Sequence, residues 1–73
     1  MNTYLLLFTV DKSLSHSQGQ DLTQGILVDS GIKWNNFKWN HGTSKTGYSA
    51  HVWRVICTED ELLVLKIKGA EEI

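Results

Sequence analysis

The sequence contains no proline and only one cysteine among its 73 residues. A single cysteine cannot form an intramolecular disulfide, which excludes the disulfide-rich class of small secreted domains. The longest apolar run, residues 4–8, is too short to cross a bilayer. The start of the chain also lacks the basic segment and the small-residue cleavage site of a secretory signal. We therefore expect a cytoplasmic protein without a membrane partner.

Length and composition are those of one small folded domain, residues 1–73. The hydrophobic share of 41% and the charged share of 21% are ordinary for a globular protein, which argues against disorder. The formal net charge of -1 excludes both a histone-like basic protein and a strongly acidic mimic of DNA.

Acidic residues are missing from residues 32–58, although the rest of the chain is acidic overall. This segment, which we call the basic aromatic segment, also holds all three tryptophans and two of the three histidines. Its basic residues are Lys33, Lys38, Lys45 and Arg54. Positive charge, aromatic area and imidazole are therefore concentrated in one third of the chain, which is the most informative feature of the sequence.

The first half of the chain predicts a strand and then a helix. Residues 3–10 are apolar on both alternating faces, which is typical of a central strand. Residues 18–30 fit a short helix, because Leu22 and Ile26 are four apart and Gly31 stands where a helix often ends. A strand over residues 25–29 remains the alternative.

The second half predicts three more strands. Residues 32–40 and 48–57 are rich in strand-forming residues and indicate a hairpin with a long loop at 41–47. Residues 58–61 resemble a helix capping box. We nevertheless predict a strand over residues 62–68, because apolar residues alternate there and two lysines suit a sheet edge. Residues 70–73 are expected to be a frayed tail.

These elements predict a small α+β fold, an antiparallel sheet of about four strands with one short helix in an abbreviated ferredoxin-like arrangement. A small all-β barrel is the alternative. Because both faces of residues 3–10 and 48–57 are apolar, we also expect a homodimer or a larger homo-oligomer.

The basic aromatic segment predicts a binding function. Nucleotides and nucleic acids need cations along phosphates and flat rings beneath bases, and this segment supplies both. The candidate ligand-binding residues are Lys33, Trp34, Lys38, Trp39, His41 and Lys45. We predict a non-enzymatic binding module for a nucleotide, a nucleic acid or an acidic protein surface, with a self-assembling structural subunit as an alternative. The small size suits an accessory protein of a phage or mobile element, such as a defence inhibitor.

Catalytic and metal chemistry have weaker signals. His51 and Cys57 lie on one strand face about 20 Å apart, too far to share an ion, so we expect no metal and no cofactor. Cys57 has no evident catalytic partner and is expected to be a buried thiol. Metal-free RNA cleavage would need two acid–base groups and a cation, which His41, His51 and Lys45 could provide.

Two segments resemble a known family. Residues 4–11 and 60–67 are similar to the first and last strands of the small CRISPR-associated ferredoxin-fold nucleases and their toxin–antitoxin relatives. In that family an acidic residue at the end of the first strand can bind metal across a homodimer, and Asp11 stands at the matching position. The resemblance therefore implies a nuclease as the alternative function, with Asp11 as one candidate catalytic residue and His41, from its imidazole, as another.

Overall fold

The structure is a computed structural model that describes the backbone of residues 1–73 and every side chain except that of Lys45. Strands and α-helices follow one another in the order β-α-β-β-α-β. The elements are β1 (Asn2–Asp11), α1 (His16–Asp29), a 3₁₀ turn (Trp34–Asn36), β2 (Phe37–Lys45), β3 (Tyr48–Cys57), α2 (Glu59–Ile67) and β4 (Glu71–Glu72).

The strands form one open antiparallel sheet in the order β2-β3-β1-β4. β3 lies between β1 and β2, so the β1-α1-β2 unit is split by an inserted strand, as in ferredoxin-like folds. The predicted α+β class is confirmed, and the alternative of a closed barrel is wrong. The prediction of a single helix is also wrong, because the fold has two α-helices.

Both helices lie on the same face of the sheet, and the core forms between them and that face. Leu6 and Phe8 on β1 alternate with more exposed neighbours and contact Leu27 of α1 and Leu65 of α2 in one cluster of buried side chains. The opposite face carries no helix, and we call it the open face. The central position predicted for the first strand is confirmed, because β1 pairs with β3 on one side and β4 on the other.

α1 confirms the prediction of a helix over the alternative of a strand, and it begins two residues earlier than predicted. Its first turn is fixed by a capping box, in which Ser15 and Gln18 each accept the other's backbone N–H through their side chains. At its end Gly31 has a φ of 87°, and the backbone N–H of Ile32 donates to Leu27. This Schellman ending explains the predicted role of Gly31.

α2 replaces the strand predicted over residues 62–68. The capping box favours a helix over the strand that the alternating pattern predicts, because Thr58 and Glu61 satisfy two otherwise unpaired N–H groups. The helix buries Leu62 and Leu65, which are three apart as helical packing requires. Gly69, with a φ of 109°, repeats the Schellman ending seen after α1.

The hairpin of β2 and β3 is confirmed, but its boundaries differ from the prediction. Residues 34–36 form a 3₁₀ turn instead of strand, and most of the predicted loop at 41–47 belongs to β2. Ladder pairing continues to Lys45 opposite Tyr48, so only two residues turn the chain. The predicted frayed tail is wrong too, since Glu71 and Glu72 pair with β1.

No helix in the described chain is both long and apolar enough to cross a membrane. The cytoplasmic location remains a prediction.

Candidate anion-binding site

Two cations face each other at one end of the open face. Lys38 of β2 lies directly opposite Arg54 of β3 in the strand register, and both side chains are exposed. Their neighbours Phe37 and Val55 point instead to the helix-covered face, because side chains alternate along a strand. The register therefore brings together two positive groups that are sixteen positions apart in the sequence.

A shallow cavity of about 200 Å³ opens beside this pair. It is lined by Asn35, Asn36, Phe37, Lys38, Arg54 and Ile56. The two asparagines come from the 3₁₀ turn that precedes β2. Amide side chains both donate and accept hydrogen bonds, whereas lysine and arginine only donate. The lining is therefore suited to an anionic group that also carries polar edges.

Among the described side chains, no carboxylate forms an ion pair with Lys38 or Arg54. The ion pair that the described side chains form joins Lys66 to Glu72 at 3.2 Å, on the helix side of the sheet. Like charges directly opposite each other on neighbouring strands are destabilising. The pair of Lys38 and Arg54 thus costs folding free energy, and a bound anion would remove that cost.

Trp34 is next to the cavity-lining residues in the 3₁₀ turn and is 65% exposed. Its ring lies 5.5 Å from the ring of Phe37, with a tilt of 40° between the two planes. Phe37 in turn contacts the buried ring of Trp53, with ring centroids 5.6 Å apart. The exposed ring of Trp34 is therefore supported from the core side of the sheet, whereas the side chains of Lys38 and Arg54 are on the open face.

The other predicted ligand-binding residues are divided between the two faces. His41 lies opposite Val52 on the open face, because a bulge after Trp39 moves it to the same face as Lys38. Lys33 is exposed just before the 3₁₀ turn. Trp39 is half-buried against the core on the helix-covered face and is therefore separated from the cavity. The Lys45 side chain lies outside what the structure describes.

The two candidate catalytic residues lie far apart on the open face. Asp11 is opposite Tyr48 and His41 is opposite Val52, so about 13 Å of strand and the width of β3 separate them. The Asp11 carboxylate accepts the backbone N–H of Ser13 at 2.8 Å. The hydrogen bonds from Ser13 lower the pKa of Asp11. Its local role is to close the turn after β1.

The thiol of Cys57 is fully buried at the end of β3, as predicted. Burial raises the pKa of this thiol, and the nearby carboxylate of Glu61 raises it further. Because the thiolate is the nucleophilic form, Cys57 is unsuited to catalysis at neutral pH.

A second group of rings lies on the helix-covered face. His51 is 1% exposed, and its ring centroid lies 5.1 Å from that of His16 at the start of α1. The ring centroids of Trp39 and His16 lie 5.3 Å apart, and the two rings are nearly perpendicular. Burial lowers the pKa of His51, and the charge of His16 lowers it further. Among the described side chains, no group of three or more His, Cys, Asp or Glu residues could hold a metal ion.

Arg54 lines the cavity but is not among the predicted ligand-binding residues, whereas Asn35 and Asn36 were expected to bind base edges and do line it. The alternation of β3 puts Arg54 on one face with Val52 and Ile56, and this signal is visible in the sequence. That Lys38 lies opposite Arg54 depends on the register between β2 and β3, which the bulge and the short turn determine. That register could not be read from the sequence.

No protein-family model, curated protein or solved structure matches this chain. The resemblance to the CRISPR-associated nucleases therefore remains a prediction, and function has to be argued from the site.

Proposed function

We propose that this chain is a non-enzymatic binding module for a phosphate-bearing ligand with an aromatic base, namely a nucleotide or a single-stranded nucleic acid. Lys38 and Arg54 bind the phosphate, and Arg54 can present a planar pair of donors to it. Asn35 and Asn36 supply hydrogen bonds to base edges. Trp34 offers a stacking surface for the base.

The observation that carries this proposal is the opposed pair of Lys38 and Arg54 at a cavity, without a carboxylate in the surrounding segment. Cations that serve only to keep a surface soluble need not face each other, because they repel each other less when they are spread along a strand. The exposed ring of Trp34, which comes just before the cavity-lining Asn35 in the 3₁₀ turn, favours a base-containing ligand that reaches round the edge of the sheet, because acidic side chains give a ring nothing to stack on.

The test uses a short fluorescently labelled single-stranded RNA, with a mononucleotide and polyglutamate as separate competitors. We expect the double variant Lys38→Gln/Arg54→Gln to weaken RNA binding about tenfold or more. The salt slope of the affinity should fall by about 0.7, because the two cations bind one phosphate and each phosphate contact on a single strand contributes about that much. Thermal stability should be unchanged or higher, since the repulsion between the two cations is gone.

Two further variants separate the parts of the site. Lys12→Gln removes one exposed charge outside the basic aromatic segment and should leave affinity within twofold. Trp34→Ala should weaken RNA binding by about 1–3 kcal/mol at unchanged stability. Equal affinity of the double variant and the wild type would contradict the proposal. Competition by polyglutamate at the strength of RNA would point to an acidic protein partner instead.

The nuclease alternative has less support in the geometry. Asp11 is held by Ser13 in a turn, and of the two predicted imidazoles His41 lies on the open face while His51 is buried on the helix-covered face.

A further inference from the structure

The outer surface of α2 is unusually apolar for an exposed helix. Leu63 is 59% exposed, Val64 41% and Ile67 85%. The helix buries Leu62 and Leu65 on its inner side, so apolar residues lie on two opposite sides of α2, and Asp60 is the charged residue of its first turn on the outer side. A helix of this kind is normally covered on both sides. Contiguous exposed apolar side chains with charged surroundings typically mark an interaction surface.

Charges flank this apolar surface in a self-complementary pattern. Glu59 and Lys66 are seven residues apart and therefore lie on one flank of the helix, while Glu61 and Lys68 are seven apart on the other flank. Each flank is acidic near the start of α2 and basic near its end. An antiparallel copy of the same helix would therefore place acidic against basic groups on both flanks. A parallel copy would place Glu59 opposite Glu61 and repel.

We infer that a second copy of this chain covers α2, with the two α2 helices packed antiparallel about a two-fold axis. Such an isologous contact buries Leu63, Val64 and Ile67 against their own equivalents. Glu59 then faces Lys66 of the second copy, as charged flanking positions do in helix pairs. Lys66 is exposed even in its ion pair with Glu72, so it can be shared between the two carboxylates.

This interface differs from the one that the sequence predicts for self-association. On the open face Ala50 and Val52 are already 3% and 2% exposed, Ile56 is half-buried, and Leu5 of β1, at 38%, is less exposed than Leu63 or Ile67 of α2. The open face therefore offers less apolar surface for a dimer to bury than α2 does. In addition, α2 lies on the opposite side of the sheet from the cavity. The dimer and the ligand site can therefore be tested separately. Because one nine-residue helix makes a small interface, we expect micromolar affinity.

The experiment is sedimentation equilibrium on the full chain from low micromolar to millimolar concentration. The wild type should shift from 8.3 kDa to twice that mass. Leu63→Lys/Ile67→Lys should raise the dimer dissociation constant at least about 100-fold, because the interface would lose two apolar side chains and would have to bury two charges in their place. Both side chains are exposed in the monomer, so circular dichroism should show an intact fold.

Leu22→Lys is the matched control, because Leu22 is an equally apolar side chain, 50% exposed, on α1. It should leave the dimer unchanged. The orientation is tested by charge reversal: Glu59→Lys should weaken the dimer, and Glu59→Lys/Lys66→Glu should recover it. A wild type that stays monomeric at millimolar concentration would overturn the inference. So would a dimer that Leu63→Lys/Ile67→Lys weakens no more than Leu22→Lys does.

Discussion

His51 is almost completely buried, although neither of its ring nitrogens has a hydrogen-bond partner among the described residues. It packs so closely on α1 that a Cβ at Gly19 would lie 2.6 Å from its Nε2. Gly19 weakens the helix by about 1 kcal/mol relative to alanine, and this contact is the reason that the fold accepts the cost. The imidazole of His16 is the titratable neighbour, and no carboxylate compensates a charge on His51 among the described contacts.

We expect the free energy of unfolding to fall as the pH is lowered from neutral. The pKa of His51 is lowered in the folded state, so the unfolded state binds more protons once the pH falls below about 6.5. The stabilisation is therefore present above that pH and is lost on the way down to the folded-state pKa. Urea denaturation at several pH values measures it. His51→Leu should remove most of the slope, and His41→Gln should keep it; an unchanged slope in His51→Leu would contradict this account.

Single residues also show where the candidate site could and could not be predicted. Lys38 and Trp34 are predicted from residue type alone, because cations and aromatic rings in an acid-free segment are typical of a site for anions with bases. Trp39 has the same type and the same neighbourhood in sequence but points to the core. The difference depends on the 3₁₀ turn before Phe37, which sets the strand alternation, and on burial, which short-range patterns do not determine.

At the level of elements, helix ends were more informative than apolar alternation. Gly31 correctly indicated the end of α1, because only a residue tolerant of positive φ suits that position. Residues 58–61 gave an equally specific start signal for α2, and Gly69 gave its end. The alternation of residues 62–68 was misleading, because a short helix with apolar residues on two opposite sides can also match a period of two. Capping satisfies particular N–H groups and so decides between the two structures.

We expect Thr58→Ala to lower the free energy of unfolding by about 1 kcal/mol, within a range of about 0.5–2 kcal/mol. The Thr58 hydroxyl accepts the backbone N–H of Glu61 at 3.2 Å, and alanine leaves that group without its cap. Thr58→Ser keeps the hydroxyl and should cost much less. The urea midpoint measures both at an unchanged m-value. If Thr58→Ala and Thr58→Ser are equally stable, the start of α2 does not depend on this cap.

For the whole molecule, the two layers are joined by apolar packing and by one buried polar contact. The indole Nε1 of Trp53 on β3 donates to the Thr23 hydroxyl on α1 at 2.8 Å. Thr23 in turn donates to the backbone carbonyls of its own helix, both at 3.0 Å. Trp53 is thereby satisfied deep in the core, unlike Trp39, whose buried Nε1 has no partner among the described residues. The link fixes α1 over the central part of the sheet.

Thr23→Val tests this link, because valine has nearly the same shape and the same branched Cβ but cannot accept the indole N–H. We expect the free energy of unfolding to fall by about 1–3 kcal/mol, the cost of leaving a buried donor unsatisfied. Thr23→Ser keeps the hydroxyl and loses one methyl group, so it should cost only about 1 kcal/mol. Equilibrium denaturation followed by circular dichroism measures these variants and also those that lack Trp53. In the double variant Thr23→Val/Trp53→Phe no donor is left unsatisfied, so the effect of Thr23→Val should nearly vanish in the Trp53→Phe background. If Thr23→Val costs as much there as in the wild type, the destabilisation comes from packing and the hydrogen bond does not join the layers.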